Sequence, residues 1–68
     1  MKVLLTTARC NPPLTRTIKC ATLRYFDAKH KVTMYDAKGH VVAWTITDEW
    51  QAISYIDDKG NEHFIKRA

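Results

Sequence analysis

Apolar and polar residues alternate with a period of about two along most of this chain, in short runs separated by turn-forming residues. This alternation, together with the many Val, Ile, Thr and aromatic residues, predicts β-strands. The predicted strands cover residues 2–8, 15–26, 31–35, 40–47, 50–56 and 61–66. We therefore expect one small all-β domain over residues 1–68, an antiparallel meander of five or six strands that forms a curled sheet or a small barrel.

One turn pattern occurs three times between these strands. Each copy begins with an aspartate, which favours the first position of a type I turn. Each ends with a glycine or a histidine, and glycine in particular accepts positive φ. The three copies are residues 27–30, 36–39 and 57–60. The pattern predicts three hairpins, whereas residues 47–50 lack it and predict a short helical turn capped by Thr47 and Asp48.

The predicted turns also fix a register. A three-residue loop with a bulge at residues 37–39 places Met34 opposite Val42 and Val32 opposite Trp44. These apolar residues then share one face, and a shift of one residue would separate them. The same rule, applied to all three turns, predicts a core of Ile18, Cys20, Phe26, Val32, Met34, Val42, Trp44, Ile46, Ile53, Tyr55 and Ile65.

The opposite face of the predicted sheet is less polar than a face exposed to water usually is. It carries Leu23, Tyr25, Thr33, Tyr35, Val41, Ala43 and Thr45. Two explanations are open. Either the N-terminal segment folds across this face or the sheet closes on itself, or the face binds a second copy or a target protein.

Size and charge narrow the possible functions. A chain of 68 residues is near the lower limit for a self-sufficient core, so a deep catalytic cleft is difficult to build. The net charge of +4 favours acidic partners.

No segment has the pattern of a secretory signal or the roughly 20 apolar residues of a membrane span, so we expect a cytoplasmic protein that does not contact a membrane. Cytoplasmic cysteines are usually reduced, although pairing of Cys10 with Cys20 stays open.

The sequence offers little evidence for catalysis or for metal binding. The potential metal ligands lack the close spacing of structural zinc sites. They are Cys10, Cys20, His30, His40 and His63. Most acidic residues belong to the turns, and neither cysteine has a nucleophile motif around it. We therefore expect no enzymatic activity, no metal site and no cofactor.

Two binding functions follow from the apolar second face. The first is docking on a larger protein, as an inhibitor or adaptor of the compact kind common in phages and mobile elements. The predicted contact residues are Leu23, Arg24, Tyr25, Lys31, Tyr35, Val41 and Trp50. Trp50 is equally consistent with a lid over one end of the core. The alternative is binding of single-stranded nucleic acid, with bases stacked on Tyr25 and Tyr35 beside the cations.

Overall fold

The computed structural model describes residues 1–7 and 12–67 and contains only strands and short 3-10 turns. The strands are β1 Lys2–Thr7, β2 Leu14–Lys19, β3 Thr22–Phe26, β4 Lys31–Tyr35, β5 Val41–Ile46, β6 Ala52–Ile56 and β7 Glu62–Lys66. All pairs are antiparallel, so the predicted all-β meander is confirmed. Within these residues the sheets do not close into a barrel, and no helix has the length and hydrophobicity to cross a membrane.

The strands form two sheets rather than one. The first sheet has the order β2-β1-β6-β7 and the second has the order β3-β4-β5. The predicted strand 15–26 is divided between them, because adjacent residues bond to different sheets. The Cys20 N–H donates to the Met1 carbonyl at 3.1 Å, and the Ala21 N–H donates to the Tyr35 carbonyl at 2.8 Å. The chain therefore changes sheets at this point.

The core lies between the two sheets. Five side chains are at most 1% exposed: Val3, Leu5 and Ile53 from the first sheet, and Val32 and Met34 from the second. Half-buried residues pack around them, namely Ile18, Cys20, Leu23, Ala43, Trp50, Tyr55 and Ile65. The N-terminal segment is thus a central strand whose side chains build the core, and it does not lie across the outer face of the second sheet. The last residue of the predicted first strand, Ala8, lies outside the described residues.

The predicted register between β4 and β5 is wrong by one residue. The turn itself forms as expected, since the Asp36 N–H donates to the His40 carbonyl at 2.8 Å and Gly39 has φ of +85°. A β-bulge follows it, and Met34 then lies opposite Ala43 and not opposite Val42. From the bulge onward the side chains of β5 are exchanged between the faces.

The first hairpin is shifted in the same way. Residues 27–29 form a 3-10 turn that ends at His30 in the left-handed conformation, and Phe26 pairs with Lys31. As a result, three residues predicted in the core lie on the outer face of the second sheet, where they are 42–59% exposed. They are Phe26, Val42 and Trp44. Ile46 lies on the same outer face and is half-buried.

The remaining turns agree better with the sequence. The turn rule applied to residues 57–60 predicts that Tyr55 faces His63 and Ile53 faces Ile65. Tyr55 does pair with His63, whereas a bulge places Ile53 opposite Lys66. The predicted helical turn is the 3-10 turn Thr47–Glu49. Its N-terminus has no side-chain cap, so the capping role predicted there is wrong.

Asp57 organises the turn between β6 and β7. Its Oδ1 accepts hydrogen bonds from the backbone N–H groups of Lys59 and Asn61, both at 2.9 Å. Its Oδ2 lies 2.9 Å from His63 Nε2. These contacts favour the carboxylate, so the hydrogen bond with His63, followed by that with Asn61, lowers the pKa of Asp57.

The stability contributed by Asp57 should therefore depend on pH. Because the pKa is lower in the folded state, the contribution is present above about pH 4 and is lost as the pH falls through the folded-state value. We expect Asp57→Asn to lower the thermal midpoint at neutral pH and to matter progressively less below about pH 4. Asp36→Asn is the matched control, since its Oδ2 lies 3.8 Å from His40 Nδ1. An Asp57→Asn deficit that is the same at pH 7 and at about pH 3 would contradict the expectation.

Candidate functional site

The outer face of the second sheet is the most unusual surface of the molecule. We call it the Trp44 face. It consists of Arg24, Phe26, Lys31, Tyr35, Val41, Val42, Trp44 and Ile46, around a central Thr33. The register brings them together, because Arg24 and Trp44 lie on either side of Thr33 in neighbouring strands.

This face exposes large apolar side chains where a sheet usually presents polar ones. Trp44 is 59% exposed, Val41 55%, Val42 48% and Phe26 42%. The bulge in β5 brings both valines to this face, because Val41 lies opposite Tyr35 and Val42 is the extra residue of the bulge. As a result, several large aromatic and aliphatic side chains on one sheet face are exposed to water.

The charges on the Trp44 face are positive. The Lys31 ammonium lies 4.9 Å from the centroid of a Trp44 ring, in a cation–π contact. Arg24 lies opposite Thr33, which is only 6% exposed because its neighbours cover it. None of the residues that form the face is acidic. The nearest aspartates of the hairpin turns are already engaged, with Asp36 accepting two backbone N–H groups.

A shallow depression of about 310 Å³ adjoins the Trp44 face. It is lined by Thr22, Arg24, Tyr35 and Gly39. Arg24 and Tyr35 therefore belong to both the apolar surface and the depression. A single side chain of a partner would fit this volume, and a carboxylate would meet the Arg24 guanidinium there.

No family model, curated protein or solved structure matches this chain. The Trp44 face combines exposed apolar rings and branched side chains, which gain free energy when water is excluded from them, with the cations Arg24 and Lys31.

The predicted contact residues do not form one patch. Arg24, Lys31, Tyr35 and Val41 lie on the Trp44 face. Leu23, Tyr25 and Trp50 do not. Because the register is shifted by one residue, Leu23 pairs with Met34 and faces the core. That these residues contact a partner stays a prediction.

Tyr25 and Trp50 occupy different surroundings. Tyr25 pairs with Val32, and its hydroxyl donates to Asp27 Oδ1 at 3.0 Å, which raises the pKa of the phenol. With Leu23 it lines an open concavity of about 650 Å³ between the sheets, next to Tyr55 and His63. Trp50 packs against the core and donates to Thr45. These positions separate them from the Trp44 face.

Four residues of the Trp44 face, Phe26, Val42, Trp44 and Ile46, are predicted from the sequence to lie in the core, so sequence reasoning misses them as surface residues. One feature of the sequence indicates that β5 is irregular. Val41 and Val42 are adjacent apolar residues, and strict alternation cannot bury both. Such a pair immediately after a turn is consistent with a bulge, and allowing for one would have moved Trp44 to the outer face.

The histidines occur in pairs with aspartates. His30 Nδ1 lies 3.6 Å from Asp48 Oδ1, in addition to the His63–Asp57 contact. Among the described residues no group of three or more His, Cys, Asp or Glu is placed to hold a metal ion. Burial raises the pKa of the Cys20 thiol. Cys10 lies outside the described residues, so the question of whether it pairs with Cys20 also lies outside them.

Proposed function

We propose that this chain is a non-enzymatic binding protein that docks on a larger protein through the Trp44 face, acting as an inhibitor or an adaptor in the cytoplasm. The observation that supports it best is the 59% exposure of Trp44, which lies beside the central Thr33 on a sheet face rich in apolar side chains. Tryptophan is enriched among the residues that dominate binding energy in interfaces. A side chain of this size gains most when a partner removes it from water.

The aliphatic part of the face supports a protein partner. Val41 and Val42 are about half exposed at one end of β5, and Ile46 lies on the same face at the other end of the strand. Branched aliphatic side chains pack well against other apolar side chains but give a nucleobase no ring to stack on. In addition, the Lys31 ammonium already lies over a Trp44 ring.

The partner is expected to carry acidic groups around an apolar centre. Arg24 and Lys31 supply the charge of the face, and no residue of the face opposes them with a carboxylate. Such complementarity increases the association rate and disfavours partners of the wrong charge. The overall charge of +4 acts in the same direction at longer range.

The test is a retention experiment with matched variants. The immobilised chain is incubated with nuclease-treated extract of the cells that encode it. We expect a specific protein to be retained by the wild type and lost, by roughly tenfold or more in affinity, with Trp44→Ala and with Phe26→Ala. Their thermal midpoints should change little, because both side chains are substantially exposed.

Leu14→Ala is the matched control, because Leu14 is 52% exposed but lies on β2 in the other sheet. Equal retention by Trp44→Ala and Leu14→Ala would contradict the proposal. Reversal of charge in Arg24→Glu should weaken retention and reduce its sensitivity to salt.

Single-stranded nucleic acid is the second candidate, supported by the cations beside the aromatic rings of the same face. Phe26, Tyr35 and Trp44 are the rings, and Arg24 and Lys31 are the cations. Bases stacked on Trp44 would quench its fluorescence, and the affinity for an oligonucleotide would fall steeply with salt. A titration with single-stranded RNA and DNA at two salt concentrations therefore separates the two functions, since protein docking predicts no quenching.

A further inference from the structure

The edge strands of the two sheets differ in how well they are protected. In the described part of the chain the edges are β2 and β7 in the first sheet and β3 and β5 in the second. Charged residues are a usual protection against pairing with another strand. Each of the strands β2, β3 and β7 contains at least one charged residue. In contrast, β5, Val41–Ile46, contains no charged residue and no proline. β5 is therefore the least protected edge.

The backbone groups that β5 presents at this edge follow from the hydrogen-bond pattern. The Thr47 N–H donates to the His30 carbonyl at 2.7 Å, so these residues form a hydrogen-bonded pair. In an antiparallel ladder such pairs alternate with pairs that exchange no hydrogen bonds. Three positions along the register from His30 and Thr47, Thr33 and Trp44 form a pair that exchanges no hydrogen bonds. The N–H and C=O groups of Trp44 therefore point away from β4, toward the free edge.

We propose that two copies of this chain pair through their β5 strands, antiparallel, about a two-fold axis at Trp44. The second copy is the expected occupant because the edge is complementary to itself. An uncharged strand brings no like charges of its own together, and a two-fold pairing closes after two copies because the described residues of each chain form one such edge. The bulge does not prevent this, since it affects Val41 and Val42 and leaves residues 43–46 regular.

The two-fold axis determines the register between the copies. Residues that face each other across a ladder must lie on the same side of the sheet. Trp44 then lies opposite Trp44 of the second copy, with each N–H donating to the other carbonyl, and Ala43 lies opposite Thr45. The two tryptophans form a cross-strand aromatic pair.

The dimer would extend the Trp44 face without covering it. The two three-stranded sheets become one sheet of six strands, with both copies of Phe26 at its outer edges. Arg24 lies on β3, away from the axis, whereas each Lys31 ammonium lies 4.9 Å from the centroid of its own Trp44 ring, so that one cation of each copy lies near the axis. The contact involves one short strand per chain, so the interface is smaller than the standard size and the dimer is expected to dissociate on dilution.

Opposite charges at residue 44 test the register. Trp44→Lys and Trp44→Glu each place like charges opposite each other at the axis, and we expect either variant to raise the dimer dissociation constant by about tenfold or more. Mixing the two should restore the dimer as a heterodimer. The measurement is light scattering or sedimentation across a concentration series, and Trp44→Gln is the neutral control.

The same pair of substitutions at Phe26 gives a positional control, since Phe26 lies on the opposite edge strand, β3. Phe26→Lys and Phe26→Glu should leave the dimer unchanged. A wild-type chain that stays monomeric at all concentrations would overturn the proposal. So would a dimer that persists in both Trp44→Lys and Trp44→Glu, or a mixture of the two that gains nothing over either alone.

Discussion

Replacing Ile53 by alanine is expected to unfold most of this protein at ambient temperature or to leave it only marginally stable. Ile53 is fully buried and is one of only five such apolar side chains in the described core. Removing a buried isoleucine side chain to alanine costs about 2–5 kcal/mol, from lost transfer free energy and from the cavity that remains. A domain of this size has few other contacts with which to offset that loss.

The expected shift of the thermal midpoint is correspondingly large. For a domain of this length, 1 kcal/mol corresponds to roughly 4–8 °C, so a loss of about 2–5 kcal/mol in Ile53→Ala should lower the midpoint by roughly 8–40 °C. Circular dichroism or calorimetry measures it. Leu14→Ala is the control, because that side chain is 52% exposed and should change stability by less than about 0.5 kcal/mol. Similar midpoints for the two variants would mean that the core does not lie between the sheets.

The turns were the part of the fold that the sequence predicted best. The segments 36–39 and 57–60 close with Gly39 and Gly60 at φ of +85° and +87°. The aspartate that begins each segment accepts backbone hydrogen bonds there, as at Lys38 and Lys59. These interactions are local, and so the residues within one turn are sufficient to specify them.

The division into two sheets could not be predicted in the same way. It depends on the pairing of β1 with β6, which are separated by most of the chain. The change of sheet at residues 20 and 21 has no glycine or proline to mark it. Alternation indicates that a segment is a strand, but it does not indicate which distant strand lies beside it.

The bulge in β5 and the 3-10 turn Asp27–Lys29 explain why the sequence predicts residues of the Trp44 face on the wrong side of the sheet. A single extra residue in β5 exchanges its two faces, so that Trp44 moves from the predicted core to the surface. The same exchange brings Ala43 and Thr45 to the inner side, where small side chains leave room for Trp50. One local irregularity thus both exposes one tryptophan and creates the space that the other occupies.

Trp50 is therefore expected to contribute to stability. Its Nε1 donates to Thr45 Oγ1 at 2.7 Å, and Thr45 is only 7% exposed. Trp50→Phe keeps an aromatic ring but removes the donor, which leaves a buried hydroxyl without this partner and should cost about 1–3 kcal/mol. Trp50→Ala also loses the packing against the core and should cost roughly 3–5 kcal/mol, with the smaller value favoured because the ring is only half-buried.

Trp44→Phe is the matched control for these variants, because the chain has two tryptophans and Trp44 is the exposed one. It should change the free energy of unfolding by less than about 0.5 kcal/mol, and it leaves Trp50 as the only indole to report unfolding by fluorescence. If instead Trp50→Phe were neutral and Trp44→Phe destabilising, the roles of the two tryptophans would be reversed. Trp44 would then belong to the core, and Trp50 would be the residue that a partner contacts.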